Sequence, residues 1–149
     1  MGGLVVNERP TPAAREQFSI FYSLESRWAD NDIYGHINNV AYYAYFDSVV
    51  NRFLIENGGM KPGEDSVVGY VVNSGADYFS PLTYPATIEL GLRVARVGER
   101  SVTWEIGVFG EGDARSSVTG RFTHAFVDRP NNQSAPVPAP IRAAIEALT

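Results

Sequence analysis

The sequence predicts an α+β fold: one long helix against a single antiparallel sheet of about five strands, with a short helix at the C-terminal end. Three observations predict it. One stretch early in the chain repeats apolar residues at spacings of three and four. Five other stretches are rich in β-branched and aromatic residues and are bounded by turn residues. The order is strand, long helix, four strands, short helix.

Residues 1–16 are rich in Pro, Gly and small polar types, too poor in apolar surface to offset the entropy of ordering them, and are expected to form a flexible arm before a single domain over 17–149. From Gln17 the pattern alternates, with Phe18, Ile20, Tyr22 and Leu24 on one face, so a first strand is expected to reach about Trp28. A turn-like stretch, 29–38, follows. Tyr42, Tyr43, Phe46, Val49, Val50, Phe53 and Leu54 then predict a helix of about 18 residues, with Asn38 or Asn39 as its N-cap and Gly58 after Asn57 as its stop. The apolar positions cover about half its circumference, which suits a helix partly wrapped by a curved sheet. Strands are expected over 67–79, 87–97, 101–109 and 116–128, joined by meander-type turns at 81–85, 98–99, 110–113 and 130–133. A last helix from about Pro140 to Leu148 starts at a proline tolerated in a first turn and presents Ile141, Ile145 and Leu148 on one side.

Composition narrows the chemistry. At 149 residues, 44% hydrophobic and 19% charged, the chain is a one-domain globular protein. It has no cysteine, which removes disulfides, thiolate metal sites and a cysteine nucleophile. The net charge of −5, with Lys61 the one lysine and the arginines scattered singly, lacks the basic stripe that nucleic-acid binding requires. No run approaches the roughly 20 apolar residues of a membrane span, and the first residues lack the basic region of a secretory signal. The expectation is a cytoplasmic protein with neither nucleic acid nor membrane as partner.

The segment from Arg27 to Asp47 stands apart, placing Asp30, Asp32, His36, Asn38 and Asn39 within ten positions between a strand and a helix. As a calcium loop counted from Asp30 it would need acceptors at its fifth and twelfth positions, where Tyr34 and Ala41 stand. There is no G-x-S-x-G elbow and no P-loop, and two histidines, His36 and His124, are too few for a histidine-rich metal site. What remains is a carboxylate beside a helix N-terminus. The unpaired first-turn N–H groups carry partial positive charge that can polarise a thioester carbonyl, and a nearby Asp can attack the carbonyl carbon or activate water. An Asp at a strand end can equally be a turn or cap residue.

Resemblance separates the two. Read as D-x-D-x-x-G-H-x-N-N-x-x-Y-x-x-Y-F, the segment from Asp30 through Phe46 resembles the signature of the 4-hydroxybenzoyl-coenzyme A thioesterase-like branch of the hotdog superfamily. Downstream, Asp77-Tyr78-Phe79-Ser80-Pro81-Leu82 resembles the family's D/E-Y-x-x-P strand end. Arg96-Val97-Gly98 with Ser101 resembles its next turn, and Val137 to Arg142 its C-terminal helix. The resemblance covers nearly everything after Gln17 and implies a hotdog fold, with the long helix cradled by a curved antiparallel sheet. It also implies a homodimer joined edge to edge, often paired into a homotetramer, with active sites where the helix of one protomer meets its partner.

Carried over residue by residue, the resemblance makes Asp32 the catalytic carboxylate, as nucleophile or as general base towards water. It makes the backbone N–H near Asn39 the group that polarises the carbonyl, and Gly35 the residue that allows the close turn. His36 either orients substrate and assists proton transfer or holds the turn by hydrogen bonds. Of Asn38 and Asn39, one caps the helix and the other orders the loop or meets the thioester. Tyr34, Gly35, Asn38, Tyr43 and Asp47 are expected around the substrate. Asp47 stands where the family often has glutamate, and Val50 where many members have arginine; by helical angle Asp47 falls inside the apolar arc, partly buried and in need of a donor, as a structural group or a second carboxylate. His124, among Phe122, Ala125 and Phe126, reads as a packed sheet residue. Arg93, Arg96, Arg100, Arg115 and Arg121 are candidate partners for the phosphates of coenzyme A or solvated sheet residues.

The resemblance thus implies a thioester hydrolase acting on a small-to-medium acyl- or aroyl-coenzyme A, without metal or bound cofactor, coenzyme A entering as part of the substrate. The hydratases of the same fold use an Asp and a His with four residues between them; Asp32 and His36 have three. The rival of another class is a hotdog protein that binds an acyl thioester without turning it over.

Overall fold

The structure is a computed structural model and describes residues 8–148. Its elements are β1 (Ile20–Glu25), α1 (Asn39–Glu56), β2 (Val67–Tyr78), β3 (Thr87–Val97), β4 (Ser101–Gly110), β5 (Val118–Asp128), β6 (Gln133–Ser134) and α2 (Ala139–Glu146), with 3-10 turns at Arg15–Gln17 and Trp28–Asp30. All strand pairings are antiparallel, in the order β1-β3-β4-β5-β2 with β6 on β5. The curled sheet wraps α1 in the hotdog arrangement.

α1 begins where the sequence places it, because Asn38 keeps an extended backbone and its side chain accepts the Val40 N–H. One face of the helix buries Tyr42, Tyr45, Phe46, Val49, Val50, Phe53 and Leu54. That face meets the alternate residues Ile88, Leu90 and Leu92 of β3, Val102, Trp104, Ile106 and Val108 of β4, and Phe122 and Phe126 of β5. Each large apolar side chain removed from water contributes roughly 1.5–3 kcal/mol, so this contact carries most of the fold's stability. A Cβ at Gly120 would stand 2.3 Å from the Phe46 ring, so glycine lets the helix sit close to β5. The helix stops with the Gly58 and Met60 N–H groups on the Leu54 carbonyl; the left-handed residue is Gly59, at φ 69°, one place beyond the predicted stop.

Three expectations change. The strands do not form a simple meander. β2 lies at the far edge, against β5, because α1 crosses the sheet's inner face and delivers the chain to the edge opposite β1. Phe18 does not share a face with Ile20, Tyr22 and Leu24. The 3-10 turn before β1 breaks the alternation, and Phe18 packs on the outer face with Phe21 and Phe109, over Gly91 and Gly107, where a Cβ would come within 2.7 and 2.5 Å of its ring. In the stretch expected to be an arm, residues 1–7 lie outside the described residues, and from Ala13 onward the chain is docked. Ala13 exchanges hydrogen bonds with Ser116, and Arg15 pairs with Glu89 at 2.7 Å while its guanidinium covers the Phe21 and Phe109 rings. β6 occupies the end of the predicted 130–133 turn, closed by Asn132 at φ 54°. No described helix is long and apolar enough to cross a membrane.

Candidate active site

The segment between β1 and α1 is built on Asp30. Its carboxylate is 2% exposed and accepts from the Arg27 backbone N–H at 2.9 Å, from the Arg27 Nε and Nη2 at 3.1 and 2.9 Å, and from the Tyr45 hydroxyl at 2.6 Å. Burial by itself would raise its pKa, but the Tyr45 hydroxyl, the Arg27 N–H and the guanidinium together hold it below the ordinary carboxylate value. The Asp30 carbonyl also accepts the Asn38 N–H at 2.8 Å. One side chain thus joins the end of the β1 segment to α1, and one carbonyl fixes the helix cap.

Asp32 projects from a tight hairpin held on this base. Its N–H donates to the His36 carbonyl at 2.9 Å, and Gly35 N–H returns to the Asp32 carbonyl at 3.1 Å. Gly35 sits at φ 78° with no atom within 4 Å of a notional Cβ, so backbone conformation rather than crowding requires glycine. The Asp32 carboxylate accepts from Tyr34 N–H at 2.9 Å and from Asn38 Nδ2 at 3.3 Å, which leaves each oxygen a further lone pair. Asn38 therefore does two jobs, capping α1 through Oδ1 and steering Asp32 through Nδ2. With the Val40 N–H on Asn38 Oδ1 and the Ala41 N–H on the Asn38 carbonyl, the first-turn donor left without a partner among the described residues is Asn39 N–H. A carboxylate with spare acceptor capacity and an open helix N–H thus lie at one end of α1.

An open cleft of about 920 Å3 adjoins this end, lined by Trp28, Asn31, Asp32, Tyr34, Gly35, Asn38 and Tyr84 among others. Its rim is apolar and bare: Trp28, Ile33 and Tyr34 are more than 70% exposed. Trp28 and Tyr84 meet edge to face at 5.9 Å, and Tyr84 N–H donates to Asn31 Oδ1. Sequence reasoning did not find these two aromatic rings. For Trp28 the available signal was a large aromatic at a strand end beside the motif; Tyr84 is distant in sequence and gave none.

Of the expected site residues, Asp32, Tyr34, Gly35 and Asn38 line the cleft, with Asn39 next in the chain. His36 lies exposed in the hairpin, and its part in holding the turn is played by its backbone carbonyl. Tyr43 and Asp47 line a different cleft, of about 280 Å3, with Phe46, Val71, Ser74 and Phe122 between α1 and β2. Asp47 is exposed rather than partly buried, and its donor is Asn51 Nδ2 at 3.0 Å. None of the five candidate arginines lines the Asp32 cleft; Arg93 is paired with Glu105, and Arg100 donates to the Ser134 carbonyl. His124 is packed in the sheet as expected, accepting the Trp104 indole N–H at 3.1 Å through Nδ1; burial pushes its pKa down to about 4 against the opposing pull of Asp47.

Residues 26–145 match the thioesterase-like superfamily. Among solved structures, the PA5185 protein from Pseudomonas aeruginosa strain PAO1 is 47% identical with a TM-score of 0.90, covering 93% of this chain and 97% of that one. BH1999 gentisyl-coenzyme A thioesterase, at 18% identity and TM-score 0.74, covers 85% of this chain and 99% of that one. Slr0204, a 1,4-dihydroxy-2-naphthoyl-coenzyme A thioesterase from Synechocystis, stands at 16% and 0.76, with 84% and 93% covered. At such identities these last two share the fold. A protein from Bacillus subtilis strain 168, YsmA, is 23% identical over 96 residues, an alignment that takes in 64% of this chain and 65% of that protein. With a match over most of its length and a relative at 47% identity that spans nearly all of it, the chain belongs to the thioesterase-like superfamily.

Proposed function

We propose that this thioester hydrolase cleaves a small-to-medium acyl- or aroyl-coenzyme A to the free acid and coenzyme A, with Asp32 as its catalytic carboxylate. The observation that carries the reading is the Asp32 carboxylate on an open cleft, steered by Asn38 and Tyr34 N–H, beside the unpartnered Asn39 N–H. Asn39 N–H takes the carbonyl oxygen and stabilises the negative charge that grows on it. Asp32 then either removes a proton from the attacking water or adds to the carbonyl carbon itself, giving an anhydride that water opens. In both routes the carbon–sulfur bond breaks and the sulfur leaves as thiolate. Tyr34, with the Trp28 and Tyr84 rings, offers apolar surface to the acyl side. His36 stands close enough in the chain to orient substrate, and Tyr43 and Asp47 meet the substrate only if it extends to the second cleft. The aroyl-coenzyme A esters hydrolysed by BH1999 and Slr0204 support the aroyl class. A homodimer fits the same reading: β2 is an edge strand whose Tyr70, Val71 and Val72 are exposed, a surface a second copy can pair with.

The test is thiol release from short, long-chain and aromatic acyl-coenzyme A substrates by wild type and Asp32→Ala. Turnover by the wild type and a loss of about 100-fold or more in the variant, the scale for removing an acid–base group, are expected. Equal activity in the two proteins would reject Asp32. Thermal stabilisation by acyl-coenzyme A with no turnover across the panel would leave a binding protein in its place.

A further inference from the structure

The outer face of the sheet, turned away from α1, carries a groove of about 420 Å3 that shares no residue with the Asp32 cleft. Ala76 and Gly120 face the core, so their neighbours Gly75, Asp77, Thr119 and Arg121 face outward into this groove. Its far wall is the docked segment from Thr11 to Phe18. That wall is pinned: Ala13 and Ser116 exchange hydrogen bonds, and the Ala14 N–H donates to Gln17 Oε1 at 2.7 Å. The volume falls in the range of small-molecule sites, which are usually preformed in this way.

Four charged side chains line the groove, two of each sign. Arg93 and Glu105 neutralise each other in an ion pair. Arg121 and Asp77 make no ion pair or side-chain hydrogen bond among the described residues. Register keeps them apart: Arg121 stands opposite Gly75 and Asp77 opposite Thr119, so the two are diagonal neighbours, about 7–8 Å apart at the backbone. Glu105 stands opposite Arg121 on the other side, but its carboxylate is turned to Arg93. Arg121 reaches over β2 instead, with Nη2 3.8 Å from where a Cβ on Gly75 would lie. A glycine inside a strand weakens it, and here the bare backbone keeps the groove floor open beside the guanidinium.

The balance of charge selects the occupant. An anion drawn to Arg121 meets Asp77 in the same groove, and a cation drawn to Asp77 meets Arg121. A ligand that carries both charges on one carbon satisfies each side, and Pro12, Ala13 and Phe18 offer apolar surface beside them. From this arrangement we propose that the groove binds a free α-amino acid with an apolar side chain. Its carboxylate accepts from the Arg121 guanidinium, its ammonium donates to the Asp77 carboxylate, and its side chain lies against Pro12 and Phe18. The site stands apart from the thioester chemistry proposed above and does not rest on it.

The probe is leucine, titrated into the full chain and followed by the backbone amide NMR signals of Gly75, Thr119 and Gly120 around the groove. Two controls each lack one charge: 4-methylpentanoate has no ammonium, and 3-methylbutylamine has no carboxylate. Leucine is expected to shift these signals saturably and to bind about tenfold more tightly than either control, the increment of one charge-assisted hydrogen bond at a partly exposed site. Arg121→Gln is expected to bring leucine down to the level of 3-methylbutylamine, and Asp77→Asn to that of 4-methylpentanoate. Both side chains are exposed, so Tm should stay within about 3 °C of wild type in each variant. Binding of 4-methylpentanoate as tight as that of leucine would make this a simple anion site and overturn the proposal. It is overturned equally by the absence of a saturable shift with leucine, or by leucine binding that neither variant weakens. The titration reads binding and not turnover, so its outcome is the same whether or not the chain hydrolyses a thioester.

Discussion

Asp30 and Asp32 stand two residues apart in one motif and occupy opposite environments. The region around Asp30 is closed: its carboxylate accepts four hydrogen bonds, from two groups of the Arg27 guanidinium, the Arg27 N–H and Tyr45. The region around Asp32 is open: its carboxylate accepts two, from Tyr34 N–H and Asn38, and faces a cleft. A carboxylate whose lone pairs are all engaged is scaffold, because taking a proton or attacking a carbon would first break the bonds that hold it. One with lone pairs to spare on an open cleft is available for chemistry. The spacing of two in the motif therefore separates a carboxylate fully engaged in holding the fold from one left open on a cleft.

The contrast can be broken from either side. The largest effect expected belongs to Asp32→Ala, whose loss of turnover of about 100-fold should come with a Tm within a few degrees of wild type. Asp30→Ala reverses the pattern: with Tyr45 and the Arg27 N–H left unpaired, it should lose about 3 kcal/mol, a fall in Tm of roughly 6–12 °C by calorimetry. A comparable drop in Asp32→Ala would erase the distinction.

Acid melting sharpens the comparison by adding a second buried group. The His124 pKa falls from 6.5 unfolded to about 4 folded, so between those values the unfolded chain binds the extra proton. Stability should be complete above pH 6.5 and decline by up to about 3 kcal/mol as pH falls to 4, with the slope flattened in His124→Gln. Asp30, held below its ordinary value of 3.8, stabilises above that pH and loses its contribution as pH falls further. The two groups thus act in successive windows. The smallest effect is that of Asn38→Ala, which removes the cap for about 1 kcal/mol of stability and frees Asp32 from one of its two donors.

Much of the helix and strand layout was legible because it is local. Asn38 before the apolar repeat of α1, and alternation such as Val102, Trp104, Ile106 and Val108, report on neighbours a few residues away. What could not be read depends on distant partners. Nothing in Val67–Tyr78 states that it pairs with Val118–Asp128, and only glycines at 91 and 107 make the outer face receptive to Phe18. At the site, Asp32, Tyr34, Gly35 and Asn38 of the motif were found; Trp28, at its edge, was missed because nothing local marks which side of the strand end faces a cleft, and Tyr84 because a cleft gathers residues from separate loops. Helical angle placed Tyr43 and Asp47 on one side of α1 but not against a cleft other than that of Asp32. Likewise Asp30 and Asp32 read alike until the Tyr45 hydroxyl and the Arg27 guanidinium are seen on one of them alone.

The pairing of β2 with β5 also sets a timetable for synthesis. Val67 meets Asp128, about 60 residues later, so β2 leaves the ribosome with no strand yet made to bond it. At roughly 5–20 residues per second it waits several seconds, with the backbone N–H and C=O groups that later pair with β5 still unpaired, before its partner is complete. The sheet therefore closes late and from its C-terminal side, and the interval in which this strand stands alone is when the nascent chain is most open to pairing with another copy of itself.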